Sequence, residues 1–173
     1  MEQANTDLSE TGGARAAELV RLLELQPHPE GGSFRECFRS PSTVLTTRGQ
    51  RQRSALTTIY FLLRRGEQSR WHRLRSADEV WHHYEGAPLE LLWLDRGMGE
   101  CTRESLGRVE GGTRPVAVVP SGCWQAARTT GDYTLVGCSV GPGFELDDFS
   151  LLSDVPEEEL VVRSRFPSYV SLI

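Results

Sequence analysis

The sequence has no long apolar segment, since nothing in its 173 residues approaches the roughly eighteen consecutive apolar residues of a membrane span. Its first residues also lack the basic and apolar segments of a signal peptide. Lysine is absent, the 19 basic residues are outnumbered by 24 acidic ones, and the net charge of −5 argues against a general nucleic-acid or membrane-surface protein. We therefore expect a soluble cytoplasmic protein that binds neither nucleic acid nor membrane.

Cysteine is scarce and scattered along the chain. The four cysteines are Cys37, Cys101, Cys123 and Cys138, and they form no CxxC pair. This spacing is unlike a zinc knuckle, and it favours buried free thiols over a disulfide framework.

A chain of this length has room for one well-buried core and is too short for two ordinary domains. Residues 1–13 are polar and contain two glycines, which predicts a disordered N-terminal tail. We therefore predict a single domain over residues 14–173.

The spacing of apolar residues changes along the chain from a helical pattern to a β-like one. In "ARAAELVRLLEL" they recur at helical spacing, and the prolines and glycines of "QPHPEGG" then end the predicted helix. From there to residue 152, short β-like runs alternate with turn residues, which is typical of an antiparallel sandwich or barrel. Near the end, Asp154 as N-cap, the acids of "EEE" and Pro167 as a stop predict a short C-terminal helix.

The first chemical motif runs from Gly66 to Gly86. Five residues separate Gly66 from His72, one separates His72 from Leu74, four separate Leu74 from Glu79, and six separate Glu79 from Gly86. This spacing resembles the first signature of the cupin superfamily, whose barrels use two histidines and a glutamate of that motif to hold a metal. Leu74 stands where the second histidine is usual.

A second motif, "PSGCWQ", contains Pro120, Gly122 and Gln125. It resembles the second cupin signature, with Gln125 at the place of the inward histidine. Two of the four usual ligand positions are therefore changed in this sequence.

Longer segments resemble one branch of the superfamily, cupin family five, first catalogued as a domain of unknown function. They are "HPEGGSFRECFRS", "IYFLL", "WHRL" with "DEVWHHYEG", "VPSGCWQAAR" and "YTLVGCSVGPGFELDDFSLL", and the resemblance covers roughly residues 20–170. It implies an all-β fold, a jelly-roll cupin barrel with a flanking N-terminal helix and a short C-terminal helix. It also implies a homodimer and a pocket in the barrel mouth, and it supplies no established substrate.

Strand alternation sorts the side chains of "DEVWHHYEG", because successive residues of a strand face opposite sides. The cupin arrangement turns His72 and Glu79 inward, and Trp81 and His83 share the face of Glu79, while His82 faces the other way. We expect His72 and Glu79 to be catalytic, since imidazole titrates near neutral pH and a nearby carboxylate fixes its tautomer. A histidine–glutamate pair can equally serve only to satisfy two buried polar groups.

A metal site built from His72, Glu79 and Gln125 would be rich in oxygen and contain one imidazole. Such a set is poor for structural zinc and tolerable only for harder divalent ions. We therefore expect no cofactor and disfavour a divalent metal.

Arginine is concentrated between Arg35 and Arg75, where ten arginines accompany only two acidic residues. The candidates for binding a phosphate or carboxylate are Arg35, Arg39, Arg70, Arg73 and Arg75. We predict that Arg35 and Arg39 bind a small polar, anionic ligand together with Trp81, His83 and Gln125. His28 and Glu30, in the "PHPEGG" loop, are interpreted as structural residues of the barrel rim.

Three functions are compatible with these patterns. The first is binding of a small sugar- or nucleotide-like molecule in the barrel, with isomerase or epimerase chemistry suggested by a fold analogy to sugar-nucleotide epimerases. The second is a non-catalytic, dimeric binding or scaffold protein with a vestigial pocket. The third, a metal-dependent cupin oxygenase, is disfavoured by Leu74 and Gln125.

Overall fold

The computed structural model describes the backbone of residues 2–46 and 51–173, and the side chains of these ranges from residue 11 onward. Within them the chain forms thirteen strands and two α-helices, α1 Glu2–Leu22 and α2 Pro156–Arg165. The strands are β1 Gln26–Pro27, β2 Ser33–Arg39, β3 Thr43–Leu45, β4 Gln52–Ser54, β5 Thr57–Arg64, β6 Gln68–Leu74, β7 Asp78–Gly86, β8 Leu89–Leu94, β9 Cys101–Leu106, β10 Val116–Val119, β11 Trp124–Thr129, β12 Tyr133–Gly141 and β13 Phe149–Leu151. Three short 3-10 helices span Leu146–Asp148, Leu152–Asp154 and Pro167–Leu172.

Two antiparallel sheets form the barrel. The large sheet has the strand order β1-β2-β5-β12-β7-β10, the small sheet has the order β13-β6-β11-β8-β9, and β3 and β4 form a separate hairpin. Most neighbours in a sheet are distant in sequence, so the chain crosses repeatedly between the sheets, as in a jelly roll. The predicted all-β jelly roll with flanking helices is confirmed.

The main core lies between the sheets and follows strand alternation. Glu79 and Trp81 of β7 are buried, whereas Val80 and His82 on the other face are partly exposed. Trp81 packs with Phe61 of the large sheet and with apolar side chains of β8 and β11. Full burial of a large apolar side chain stabilises the fold by roughly 1.5–3 kcal/mol.

Helix α1 covers the outer face of the large sheet. Ala16 and Leu19 are buried there against Leu62 of β5 and Leu135 of β12. The helix predicted from apolar spacing is therefore present, and its docking residues are those that gave the spacing.

The helix extends further toward the N-terminus than the sequence indicated. Residues 11–13, assigned to the disordered tail, are helical. A Cβ on Gly12 would collide with the side chain of Asp132, so the helix passes close to the β11–β12 turn at a residue that has no side chain. Residues 1–10 of the predicted tail fall outside the part of the chain whose side chains are described.

The C-terminal helix is present, but its predicted N-cap is wrong. Val155 occupies the N-cap and makes no side-chain capping bond, while Asp154 belongs to the preceding 3-10 turn. Pro156 begins the helix, where its fixed φ suits the first helical position. Pro167 follows the last helical residue by two positions, as predicted for a stop.

The segment after β13 covers the outer face of the small sheet. Trp71 and Trp124 are almost fully buried there together with Val162 of α2 and Leu172. The Trp71 indole N–H donates to the carbonyl of Tyr169 at 3.1 Å. Trp71 therefore lies outside the main core, on the opposite side of β6 from His72.

All four cysteines are free thiols. Cys123 and Cys138 are buried as predicted, but Cys37 is exposed and Cys101 is half-buried, so the expectation of burial holds for only two of them. No described helix is long and apolar enough to cross a membrane.

Candidate functional site

A cavity of about 200 Å³ lies between the two sheets. Its walls carry two imidazoles, three carboxyl groups and three phenyl rings, from His28, His72, Glu30, Glu36, Glu79, Phe34, Phe144 and Phe149. His72 comes from β6 of the small sheet and Glu79 from β7 of the large sheet. The two residues that the cupin spacing placed inward therefore reach the same cavity from opposite sheets.

A β-bulge in β6 turns two polar side chains toward the cavity side. Gln125 of β11 pairs with His72 of β6, and Ala127 pairs with Ser69. Three residues of β6 are therefore matched to two residues of β11, which defines the bulge. Strict alternation would put Ser69 and His72 on opposite faces, because they are three residues apart. With the bulge, both are buried and Ser69 Oγ lies 3.4 Å from His72 Nδ1.

The loop between β1 and β2 brings in a second carboxyl group, that of Glu30. Gly31 follows it with φ of 113°, and a Cβ there would collide with the carbonyl oxygen of Gln68. Glycine therefore allows the loop to lie against β6, where Arg70 N donates to Glu30 O at 2.9 Å. Glu30 is 6% exposed, and Ser69 Oγ donates to its Oε1 at 2.8 Å.

His72 is held in one tautomer. Its Nδ1 lies 2.8 Å from the carbonyl oxygen of Arg70, which can only accept, so Nδ1 carries the proton and donates it. Nε2 then presents its lone pair to Glu30 Oε2, 3.3 Å away. The carboxyl group in contact with His72 is therefore that of Glu30, not that of Glu79 as the sequence analysis assumed.

Burial sets the protonation of this pair. It lowers the pKa of His72 and raises the pKa of Glu30. Both shifts favour the neutral forms, because moving a charge out of water is costly. At the contact between Glu30 Oε2 and His72 Nε2, burial therefore disfavours an ion pair.

Glu79 is held by a bridge between the sheets. Gln125 Nε2 of β11 donates to Glu79 Oε2, and Gln125 Oε1 accepts the Trp81 indole N–H at 3.0 Å. Burial raises the pKa of Glu79 to about 7, while the nearby His72 acts to lower it. A carboxyl group that is half protonated near neutral pH suits acid–base catalysis.

His28 and Glu30 are the site residues that the sequence analysis missed, since it took both as structural. The His28 ring lies edge-on to Phe34, with 4.4 Å between ring centroids, and its Nδ1 accepts the backbone N–H of Glu30 at 3.2 Å. Burial lowers the pKa of His28. The available signal was an imidazole and a carboxyl group beside Pro29 and Gly31, in a loop predicted at the barrel rim.

Of the two arginines predicted to bind ligand, Arg35 lies outside the barrel cavity and Arg39 is part of its lining. Arg35 is outside the cavity lining and pairs with the exposed Glu24 at 2.7 Å. Arg39 does line the cavity, but its guanidinium bonds Glu36 at 2.8 and 3.0 Å and lies 3.2 Å from Glu145. Among the described residues, the arginine excess therefore adds no unpaired positive charge to this cavity.

The remaining predicted ligand contacts are not part of the cavity lining. Trp81 is buried in the core with its indole bonded to Gln125, which itself lies behind Glu79. His83 is half-buried, and its Nε2 lies 3.2 Å from the carbonyl oxygen of Ala87. His82 also does not line the cavity, as predicted for the outward residue.

The residues at the usual metal-ligand positions do not fit a metal. The Nδ1 of His72 donates to the backbone and its Nε2 faces Glu30, while Gln125 uses both its amide oxygen and its amide nitrogen within the protein. Leu74 has no donor atom. Among the residues with described side chains, no group of three or more His, Cys, Asp or Glu residues is arranged to hold a metal ion.

Comparison with known proteins gives a family and a set of similar structures. A family model described as Cupin superfamily (DUF985) matches residues 17–152. No curated protein matches significantly.

Two solved structures are similar over almost the whole chain. A hypothetical protein from Leishmania major is 30% identical with a TM-score of 0.78, over 91% of this chain and 96% of that one. A protein from Shewanella oneidensis is 36% identical with a TM-score of 0.75, over 90% of this chain and 92% of that one. Oxalate decarboxylase from Bacillus subtilis is 16% identical with a TM-score of 0.56, over 82% of this chain and 34% of that one, a likeness of fold alone.

Proposed function

Because this chain belongs to the cupin superfamily, in the family DUF985, we propose that its barrel cavity binds a small polar molecule and moves a proton on it. The observation that supports this most is the placement of Glu79 and the Glu30–His72 pair on one cavity, from opposite sheets. Isomerisation or epimerisation of a sugar-like molecule needs such an arrangement, since a proton leaves one carbon face and another is delivered.

In this proposal Glu79 is the base. With a pKa of about 7, its carboxylate is present near neutral pH and accepts a proton from a carbon next to a carbonyl group. The electron pair of the broken C–H bond moves onto the carbonyl oxygen as an enolate. The proton held between Glu30 and His72 is the one delivered when the C–H bond forms again.

The cavity favours a small ligand. Its volume of about 200 Å³ corresponds to the liquid volume of roughly six or seven water molecules, at about 30 Å³ each. That is room for a sugar-sized molecule rather than a complete nucleotide sugar. The phenylalanine walls with a few polar groups are the usual composition of a small-molecule pocket.

A binding protein without turnover is the second candidate. Its support is that the polar groups of the cavity satisfy one another: Ser69 and His72 bond Glu30, and Gln125 bonds Glu79. Such mutual satisfaction is also what a purely structural polar cluster would need.

The experiment compares three variants on the molecule that co-purifies with the protein. That molecule is released by denaturation and identified by mass spectrometry. It is then added to freshly purified, folded protein in D₂O, and NMR follows the exchange of its carbon-bound protons. We expect exchange in the wild type and in His82→Gln, and its loss in His72→Gln and Glu79→Gln.

Binding without exchange in the wild type would favour the second candidate. Loss in His82→Gln with retention in His72→Gln would overturn the assignment of the inward face, because a shift of one residue moves every side chain of a strand to the other side. Melting temperatures of all variants control for folding.

Two further parts of this proposal concern the setting of the protein. We expect a cytoplasmic location, which the four free cysteines support, since reducing compartments preserve thiols. We also expect a homodimer, supported by the apolar side chains of Val116 and Val118 on β10, which are 43% and 49% exposed.

A further inference from the structure

Most of the described arginines between Arg35 and Arg75 do not line the barrel cavity. Three arginines instead line a separate cleft of about 800 Å³: Arg73, Arg75 and Arg96. The cleft also includes Val44 and Leu45 of the β3–β4 hairpin. None of these residues lines the barrel cavity.

Alternation along β6 explains why one segment serves both places. His72 and Leu74 line the barrel cavity, whereas Arg73, between them, projects from the other face of the strand. Arg75 follows the end of β6 and lines the same cleft as Arg73. The "WHRLRS" segment therefore presents acid–base chemistry inward and positive charge outward.

Arg96 reaches the cleft from the turn after β8. Its Nε donates to the carbonyl of Ser121 at 2.8 Å and its Nη2 to the Ser121 hydroxyl at 2.9 Å. Gly122 lies beside it, and a Cβ added to Gly122 would be only 3.4 Å from Arg96 Nε. This contact positions the guanidinium against the β10–β11 turn.

Two of the three cleft arginines, Arg75 and Arg96, have no acidic partner among the residues that the structure describes. Arg96 bonds only the neutral oxygens of Ser121, and Arg75 donates to the Ser150 hydroxyl at 2.6 Å. Neither has a carboxylate within ion-pair distance among the described residues, and no described residue of the lining is acidic. Arg73 does pair with Glu158, at 3.0 Å.

Arg73 also carries unused hydrogen-bonding capacity. Its guanidinium lies over the ring of Trp124 at 4.2 Å, and its Nε is buried with no hydrogen-bond partner among the described residues. A buried donor without an acceptor is costly. Within the described part of the chain, the cleft thus combines two arginines that have no acidic partner and a third that has an unsatisfied donor.

We propose that this cleft is a second binding site, for a small phosphate-bearing molecule. Guanidinium groups match the oxygens of a phosphate and bind them with charge-assisted hydrogen bonds. The volume of about 800 Å³ lies in the range of small-molecule sites, and Val44 and Leu45 offer apolar surface to the uncharged part of the ligand. A long nucleic acid is disfavoured because the protein as a whole carries a charge of −5.

The test is calorimetric titration with inorganic pyrophosphate at low ionic strength. The wild type is compared with Arg75→Gln/Arg96→Gln and with the matched control Arg108→Gln, an exposed arginine outside the cleft lining. We expect the double variant to bind at least about tenfold more weakly, since two charge-assisted contacts are lost. The control should match the wild type, and wild-type binding should weaken as salt rises.

The same titration on His72→Gln separates this site from the barrel cavity, on which the proposal does not depend. Unchanged pyrophosphate binding in that variant supports the cleft. Loss of binding in His72→Gln with retention in the double variant would assign the anion to the barrel and overturn the proposal. No binding by the wild type, or equal weakening in Arg108→Gln, would also overturn it.

Discussion

Replacing Glu79 with Gln should make the stability of the protein less dependent on pH. Glu79 is 6% exposed, and burial raises its pKa to about 7 from 4.5. Between these two values the folded protein holds a proton that the unfolded chain releases, so its stability falls as pH rises. Glutamine keeps the shape of the protonated carboxyl group and cannot ionise, and the variant therefore lacks this contribution.

The expected size follows from the two pKa values. A carboxyl group with a pKa of 4.5 when unfolded and about 7 when folded loses about 2.5 kcal/mol of stabilisation between about pH 5 and about pH 8. For a chain of this length, that is a melting-temperature difference of roughly 5–10 °C. The effect should be near its full size above about pH 7, because the stabilisation is lost as pH rises through the folded pKa.

The assay is urea unfolding of wild type and Glu79→Gln at several pH values across this range. The quantity compared is the difference between their unfolding free energies, in which contributions common to both proteins cancel. The titratable groups that act on Glu79 are His72, Glu30 and Cys138, and they remain in both proteins. Glu110→Gln, at an exposed position, is the control for removing one carboxyl group that is not buried.

A difference between wild type and Glu79→Gln that stays constant from acid to mildly basic pH would refute the reasoning. It would mean that Glu79 titrates alike in the folded and unfolded states, and the case for Glu79 as a base near neutrality would be lost with it.

Three further outcomes are expected. Arg53→Met should lower the free energy of unfolding by about 3–5 kcal/mol, because the variant leaves the buried Asp148 without its charged partner. The two side chains pair at 3.0 Å and are only 6% and 9% exposed. A loss below about 1 kcal/mol, the value of a surface ion pair, would contradict this prediction. Elemental analysis of protein purified without added metal should find no stoichiometric transition metal, and a chelator should leave the melting temperature unchanged. One bound metal ion per chain, whose removal by the chelator lowers the melting temperature, would contradict this prediction. Light scattering at micromolar concentration should give the mass of a dimer, since Val116 and Val118 are exposed apolar residues, and a monomer mass would count against self-association.

The sequence predicted the fold and the inward residues from the resemblance to the cupin signatures, combined with the local periodicity of the strands. Turn residues at even spacing marked the strands, and alternation from the cupin spacing placed His72 and Glu79 on one cavity and turned His82 away from it. Gln125 was correctly placed inward, although it contacts Glu79 rather than the cavity.

What the sequence did not predict depends on irregular backbone and on distant contacts. The bulge in β6 that brings Ser69 beside His72 has no signature in the local pattern. The approach of Glu30 to β6 joins segments about forty residues apart, so alternation within one strand cannot find it. The arginine excess was visible, but whether each guanidinium meets a carboxylate, as Arg39 does with Glu36, is decided by tertiary structure.

The two departures from the cupin signature give a physical reason for the chemistry of the site. A divalent cation beside Glu79 would keep its carboxylate charged, since an adjacent positive charge lowers the pKa of an acid. Here Leu74 offers no ligand and the amide of Gln125 supplies one hydrogen bond, which does not offset the burial that raises the pKa of Glu79 to about 7. The replacements that remove metal ligands thus leave a buried carboxyl group that gains and loses a proton near neutral pH, beside an imidazole whose tautomer is fixed by the backbone.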